Sequence, residues 1–102
     1  MIAIGYDIGS SFVKAALVDV KTGKPIERVR VPEVEIPMVA QEIGWAEQDP
    51  QLWWEYLCEA TKSLIKKANI EPEQISSIGI SYQMHGLVLV DQDINPLRKS
   101  II

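Results

Sequence analysis

A chain of 102 residues, 47% of them apolar, is long enough for one small domain with a modest core and too apolar to stay unfolded. Its net charge of −4, with ten Lys and Arg scattered and no basic block, argues against nucleic acid as a partner. Cys58 is the single cysteine and His85 the single histidine, which excludes an internal disulfide and a His-rich metal cluster. No apolar run nears the roughly 20 residues of a membrane span. The N-terminus has no basic region and no cleavage signal, so cytoplasmic residence is the default expectation.

Residues 2–8 are apolar and β-prone, and residues 12–20 form a second such run. The short connection between them predicts a hairpin. Lys21-Thr22-Gly23-Lys24 reads as a turn. A third strand is expected from Pro25 to Val31, with Pro25 and the broken alternation suiting an edge or a bulge. Residues 32–48 hold Pro32, Pro37 and Gly44 without a period and read as a long loop, a length that usually carries a task or a docking surface.

Asp49 as N-cap and Pro50 at the first helical position open a helix. Trp53, Trp54, Leu57, Cys58, Thr61, Leu64, Ile65 and Ala68 fall on its apolar face, and Asn69 ends it. Ile78 to Tyr82 is a fourth strand, and the intervening helix permits it to run parallel to strand one. A further strand is expected over Gly86–Asp91, with Asn95-Pro96 turning the chain before another segment opens at Leu97. The order is β-β-β-α-β-β, which predicts an α/β fold with a mixed sheet. Ending on Ile101-Ile102 without a closing helix, the chain reads as a truncated domain that is marginal or self-associating alone.

Two segments carry chemistry. Asp7-Ile8-Gly9-Ser10-Ser11, followed by Lys14, lies where strand one exits. A glycine and two hydroxyls on a turn can offer N–H and O–H donors to a phosphate, and Asp7 can face its metal. The same residues also make an ordinary hairpin turn. Gln83-Met84-His85-Gly86 lies at the carboxyl end of strand four, where ligands of open α/β sheets bind. Gln83 and His85 can hydrogen-bond sugar hydroxyls, Met84 can pack on a carbon chain, and Gly86 would permit sharp re-entry of the chain. A packed Met84, a solvated Gln83 and a satisfied loop histidine explain the same residues without a ligand. Trp53, Trp54 and Cys58 read as packing on the helix, whereas the loop residue Trp45 stays open.

At these motifs the chain resembles the FGGY carbohydrate kinases of the actin-like ATPase superfamily. Asp7 to Lys14 is similar to their first phosphate motif, and Gly44-Trp45-Ala46-Glu47-Gln48-Asp49-Pro50 with Trp53-Trp54 to the segment before their first long helix. Ile80 to Asp91, with Pro96-Leu97-Arg98, resembles the xylulokinase branch in particular, and departs from the Gln-Arg-Glu of glycerol kinases. The resemblance implies a ribonuclease H-like sheet of strand order three-two-one-four, forming residues 1–102 of a first kinase lobe. It implies ATP- and Mg-dependent phosphorylation of a ketopentose, D-xylulose, to xylulose 5-phosphate. Asp7 would support catalysis beside Mg-ATP and meet the Mg through water. Gly9, Ser10, Ser11 and Lys14 would serve the phosphates, and Gln83, Met84 and His85 the sugar. The implied partner is a small-molecule sugar, with no nucleic acid and no membrane, and a homodimer is compatible. The general base and the adenosine lobe would lie beyond residue 102, so the fragment alone is expected to be inactive. Another sugar, such as gluconate or a different ketose, and a non-catalytic actin-like nucleotide-binding domain are the alternatives.

Overall fold

The structure, a computed structural model, describes all of residues 1–102. Strands β1 (Ile2–Ile8), β2 (Val13–Asp19) and β3 (Pro25–Val31) form an antiparallel meander. A two-residue strand, β4 (Glu47–Gln48), precedes helix α1 (Pro50–Ala68), and a 3-10 turn at Pro72–Gln74 leads into β5 (Ile75–Tyr82). β5 pairs with β1 in parallel, giving one mixed sheet of order β3-β2-β1-β5. Helix α1 is the crossover that the parallel pair requires. A second, two-stranded sheet joins β4 to β6 (Ser100–Ile101).

Alternation decides which face of the sheet is covered. Ile4 and Tyr6 of β1 point to the same face as Val13, Ala15 and Leu17 of β2, and all five are buried with Ala60 and Leu64 of α1 and Ile36 of the loop. Fully burying a leucine such as Leu64 contributes roughly 2 kcal/mol. The Tyr6 hydroxyl meets Thr61 Oγ1 at 2.6 Å, so the polar tip that this core tyrosine brings is satisfied. The helix begins as its sequence dictates, with the Asp49 carboxylate accepting the Gln51 N–H at 2.9 Å and Pro50 at its first position. It stops at Asn69, whose φ of 53° is the left-handed cap that asparagine tolerates.

The helix lies over β1, β2 and β3 and leaves β5 open. Ile78, Ile80 and Tyr82 share its side of the sheet, yet stand 60–72% exposed. Trp54, expected on the packed face, is 60% exposed, because the buried stripe centres on Ala60 and Leu64 and rotates Trp54 toward uncovered β5. The radius of gyration, 15.4 Å, exceeds the ~13 Å usual for a closed domain of this length, in keeping with this open edge.

One expectation about the strands holds and one changes. β3 is an edge strand with a register shift opposite Leu17–Val18, as Pro25 suggested. The strand expected over Gly86–Asp91 does not join the sheet. Leu87 bridges Ile101 and Val90 bridges Pro96 as isolated pairs, because the segment turns away from β5 and folds on itself. Its apolar residues Leu87, Val88, Leu89 and Val90 are 37–48% exposed, so a β-prone apolar run was present without a sheet to accept it.

Candidate functional site

β1 and β5 end side by side. Ile8 pairs with Tyr82 in the parallel ladder, and the Gln83 N–H donates to the Ile8 carbonyl at 3.1 Å. The segment Gly9–Phe12 and the segment Gln83–Gly86 therefore leave the same edge of the sheet from adjacent strands. This is the carboxyl-end position at which open α/β sheets bind ligands.

Asp7 is not on the turn itself but is the penultimate residue of β1. It stands opposite Lys14 of β2, on the face away from α1. Their charged groups lie 3.8 Å apart with both side chains more than half exposed. Such a solvated pair holds neither partner tightly. Arg30 sits beside Lys14 in the β2–β3 ladder, and its guanidinium lies 4.3 Å above the Phe12 ring. This face thus carries two cations next to one accessible carboxylate.

The turn is a tight four-residue connection, closed by the Gly9 N–H donating to the Phe12 carbonyl at 2.9 Å. A Cβ on Gly9 would stand 3.1 Å from that carbonyl oxygen. The turn's own closure therefore favours a residue without a Cβ at this position. The Ser11 carbonyl accepts the Ile36 N–H at 2.9 Å, and the Ser10 carbonyl accepts the Gln48 side-chain amide. Across a trans peptide the N–H points opposite to the carbonyl. Pinning the Ser10 and Ser11 carbonyls against the protein therefore directs the Ser11 and Phe12 N–H groups away from it. The N–H groups of Ser10, Ser11 and Phe12 have no acceptor within the chain. Successive free N–H groups of this kind form an anion-binding concavity.

Gln83 is half-buried, with its Nε2 inaccessible and unpartnered. It lines an apolar cavity of about 310 Å³ with Ile8, Trp53, Trp54, Leu57, Tyr82 and Gly86. Met84 is 77% exposed. His85, not Gly86, takes the left-handed conformation at this corner, with φ 65°. A non-glycine residue there costs about 1 kcal/mol or more and marks a corner held by something besides its own preference. Trp45 lies apart, near Arg98 and Ile101 beside β4 and β6. No group of three His, Cys, Asp or Glu side chains clusters closely enough to hold a metal alone. A lone accessible Asp7 suits Mg²⁺, which keeps several waters and takes its remaining oxygens from phosphates. Gln48 and Ile36 are the residues that local sequence reading missed. They reach the turn from the loop, and nothing in the local pattern marks them.

The family of carbohydrate kinases named FGGY matches, through its N-terminal domain, residues 2–102 of this chain. The chain belongs to the FGGY carbohydrate kinases. It is 37% identical to the xylulose kinase of Bacillus subtilis over 99 residues, covering 97% of this chain and 19% of that protein. The crystal structure of a xyloylose kinase from Brucella ovis superposes with a TM-score of 0.91 at 33% identity, over 100% of this chain and 21% of that one. A gluconate kinase from Lactobacillus acidophilus superposes at 0.84 with 32% identity, over 98% of this chain and 19% of that one. The chain thus spans about a fifth of the length of these FGGY relatives. Its mixed sheet is that of the actin-like ATPase fold which FGGY kinases share.

Proposed function

We propose that this chain is the N-terminal part of the first lobe of an ATP-dependent sugar kinase whose substrate is a ketopentose, D-xylulose, converted to xylulose 5-phosphate. The observation that carries the reading is the pair of segments on one sheet edge: a turn with three free N–H groups beside Asp7 and Lys14, and the Gln83-Met84-His85 corner on the adjacent strand. The first suits phosphate, the second a polyhydroxylated carbon chain.

Phosphoryl transfer depends on positioning and on neutralising charge more than on covalent help from the protein. The Ser10, Ser11 and Phe12 N–H groups and the Ser hydroxyls would donate to phosphate oxygens. Lys14 would add positive charge beside them. Mg²⁺, when bound, supplies charge neutralisation at the phosphates, and Asp7 would hold it through its waters. Gln83 and His85 would bond sugar hydroxyls, and Met84 would lie along the carbon chain. On this reading the general base and the adenosine-binding lobe would come from residues outside this chain, and no turnover would be expected from the 102 residues alone.

A substrate screen on the intact kinase that contains this chain tests the reading. D-xylulose is expected to give the highest kcat/KM among ketopentoses, with Met84→Ala and His85→Ala raising its KM. A higher kcat/KM for gluconate or another ketose moves the substrate assignment. Binding of Mg-ATP without turnover of any sugar replaces the kinase with a nucleotide-binding domain.

A further inference from the structure

The side chain of Gln48 is fully buried and carries two hydrogen bonds in opposite senses. Its Nε2 donates to the Ser10 carbonyl, and its Oε1 accepts the Trp53 indole N–H at 3.0 Å. The amide orientation is forced by its partners, since a carbonyl only accepts and an indole N–H only donates. The backbone of Gln48 is held as well: its carbonyl accepts the Ser100 hydroxyl at 2.9 Å, and β4 pairs it with Ser100 of β6. Ser100 is itself fully buried. A rigid link therefore runs from the first turn of α1, through one amide, to the Ser10–Ser11 peptide.

We infer that Gln48 is a positioning residue for the phosphate turn, acting through the Ser10 carbonyl to aim the Ser11 N–H at a nucleotide phosphate. The inference rests on the proposed phosphate role of the turn. A peptide plane has two ends, so a donor that fixes the carbonyl on one side fixes the N–H on the other. If Gln48 ceased to hold that carbonyl, the plane could rotate, and the N–H would lose its alignment without any change in the residues that touch nucleotide. Serine, alanine or an aliphatic residue at 48 cannot replace it. The position needs a donor toward Ser10 and an acceptor toward Trp53, at opposite ends of one planar group. The same arrangement explains why a full amide is buried at the start of a helix that could be capped by Asp49 alone: both of its polar ends are paired, so its desolvation is compensated.

Three variants of the intact kinase separate the parts of the link. Gln48→Glu keeps the shape and the acceptor toward Trp53 but loses the donor. Gln48→Met keeps the volume and loses both bonds. Trp53→Phe removes only the anchor. The KM for Mg-ATP is expected to rise about tenfold or more in the two Gln48 variants, and several-fold in Trp53→Phe, because a hydrogen bond to a charged phosphate is worth roughly 1.5–3 kcal/mol. The KM for sugar and the inhibition constant of adenosine, which has no phosphates, are expected to stay unchanged. Circular dichroism and melting identify any variant that does not fold, and Trp53→Phe keeps the question open to decision if both Gln48 variants fail. Folded Gln48 and Trp53 variants with wild-type KM for Mg-ATP overturn the inference, as does an equal loss for Mg-ATP, adenosine and sugar. Asp7→Asn is run beside them. If it weakens Mg-ATP while the Gln48 variants do not, the turn keeps its phosphate role and only the role of Gln48 falls. If neither Asp7→Asn nor the Gln48 variants affect Mg-ATP, both readings fall.

Discussion

The two segments that leave the sheet edge are built in opposite ways. Between Ile8 and Val13 the chain is pinned from several sides, by the Gly9–Phe12 closure, by Ile36 and by Gln48. Val13 next to it is fully buried, and the strand behind it lies against the helix. Between Gln83 and Lys99 only the first residue is tied to the sheet. Met84 stands open, His85 carries a left-handed backbone, and the apolar residues that follow are partly exposed. The comparison teaches that the turn after β1 is organised by this chain's own core, whereas the corner after β5 has one tie to the main sheet and is held beyond it only by Leu87 on β6 and Arg98 on β4. On the proposed function, a fixed anion site and an adaptable sugar site would suit a kinase family whose named members differ in the sugar.

Substitutions can break this contrast. The largest effect is expected from the core that supports the pinned side. Leu64→Ala removes a fully buried side chain from beneath β2 and should destabilise by about 3 kcal/mol in urea unfolding. Next, Gly9→Val places a branched side chain where a Cβ already meets the Phe12 carbonyl at 3.1 Å. A loss of about 1–3 kcal/mol is expected, together with weakened Mg-ATP binding, read by urea unfolding and by calorimetry. Unchanged Mg-ATP affinity in a folded Gly9→Val protein would show that closure of the turn does not shape the anion site.

On the open side the expected changes in stability are smaller, and the first is of opposite sign. His85→Gly removes the cost of the left-handed residue and should stabilise by about 1 kcal/mol in the same urea experiment while raising sugar KM. A destabilised His85→Gly protein would mean that the imidazole holds the corner. The smallest effect concerns Asp91, where the Asn95 N–H foremost, and that of Asp93 as well, hold the carboxyl below its ordinary range. A depressed carboxylate stabilises the fold above its unfolded-state pKa, and that contribution fades as pH falls through the folded value. The segment is therefore expected to lose a small part of its stability below about pH 4, and Asp91→Asn to remove that dependence, as read by hydrogen exchange at residues 91–97.

Much of the pinned side was legible residue by residue. The strand limits at Ile8 and Val31, the Asp49-Pro50 start and the Asn69 stop follow from local chemistry, because a cap or a proline acts within a few bonds of itself. The parallel return of β5 followed from the length of the crossover. The errors fall where a distant surface decides. Gly86–Asp91 has the residues of a strand and found no ladder, and Trp54 has the spacing of a core residue and found no neighbour. Gly86 looked like the residue that turns the corner, and His85 turns it instead.

The amino-acid sequence alone determined β1, β2, β3, α1 and β5, the order in which they come and the two motifs at the ends of β1 and β5, since periodicity, capping and turn chemistry are set by near neighbours. Only the tertiary structure decided that α1 covers β2 and β3 but not β5, and that the Gln48 amide reaches the Ser10 carbonyl across 38 positions of chain. Such contacts form when packing brings distant segments together, and one buried amide with a donor at one end and an acceptor at the other leaves no periodic trace in the sequence.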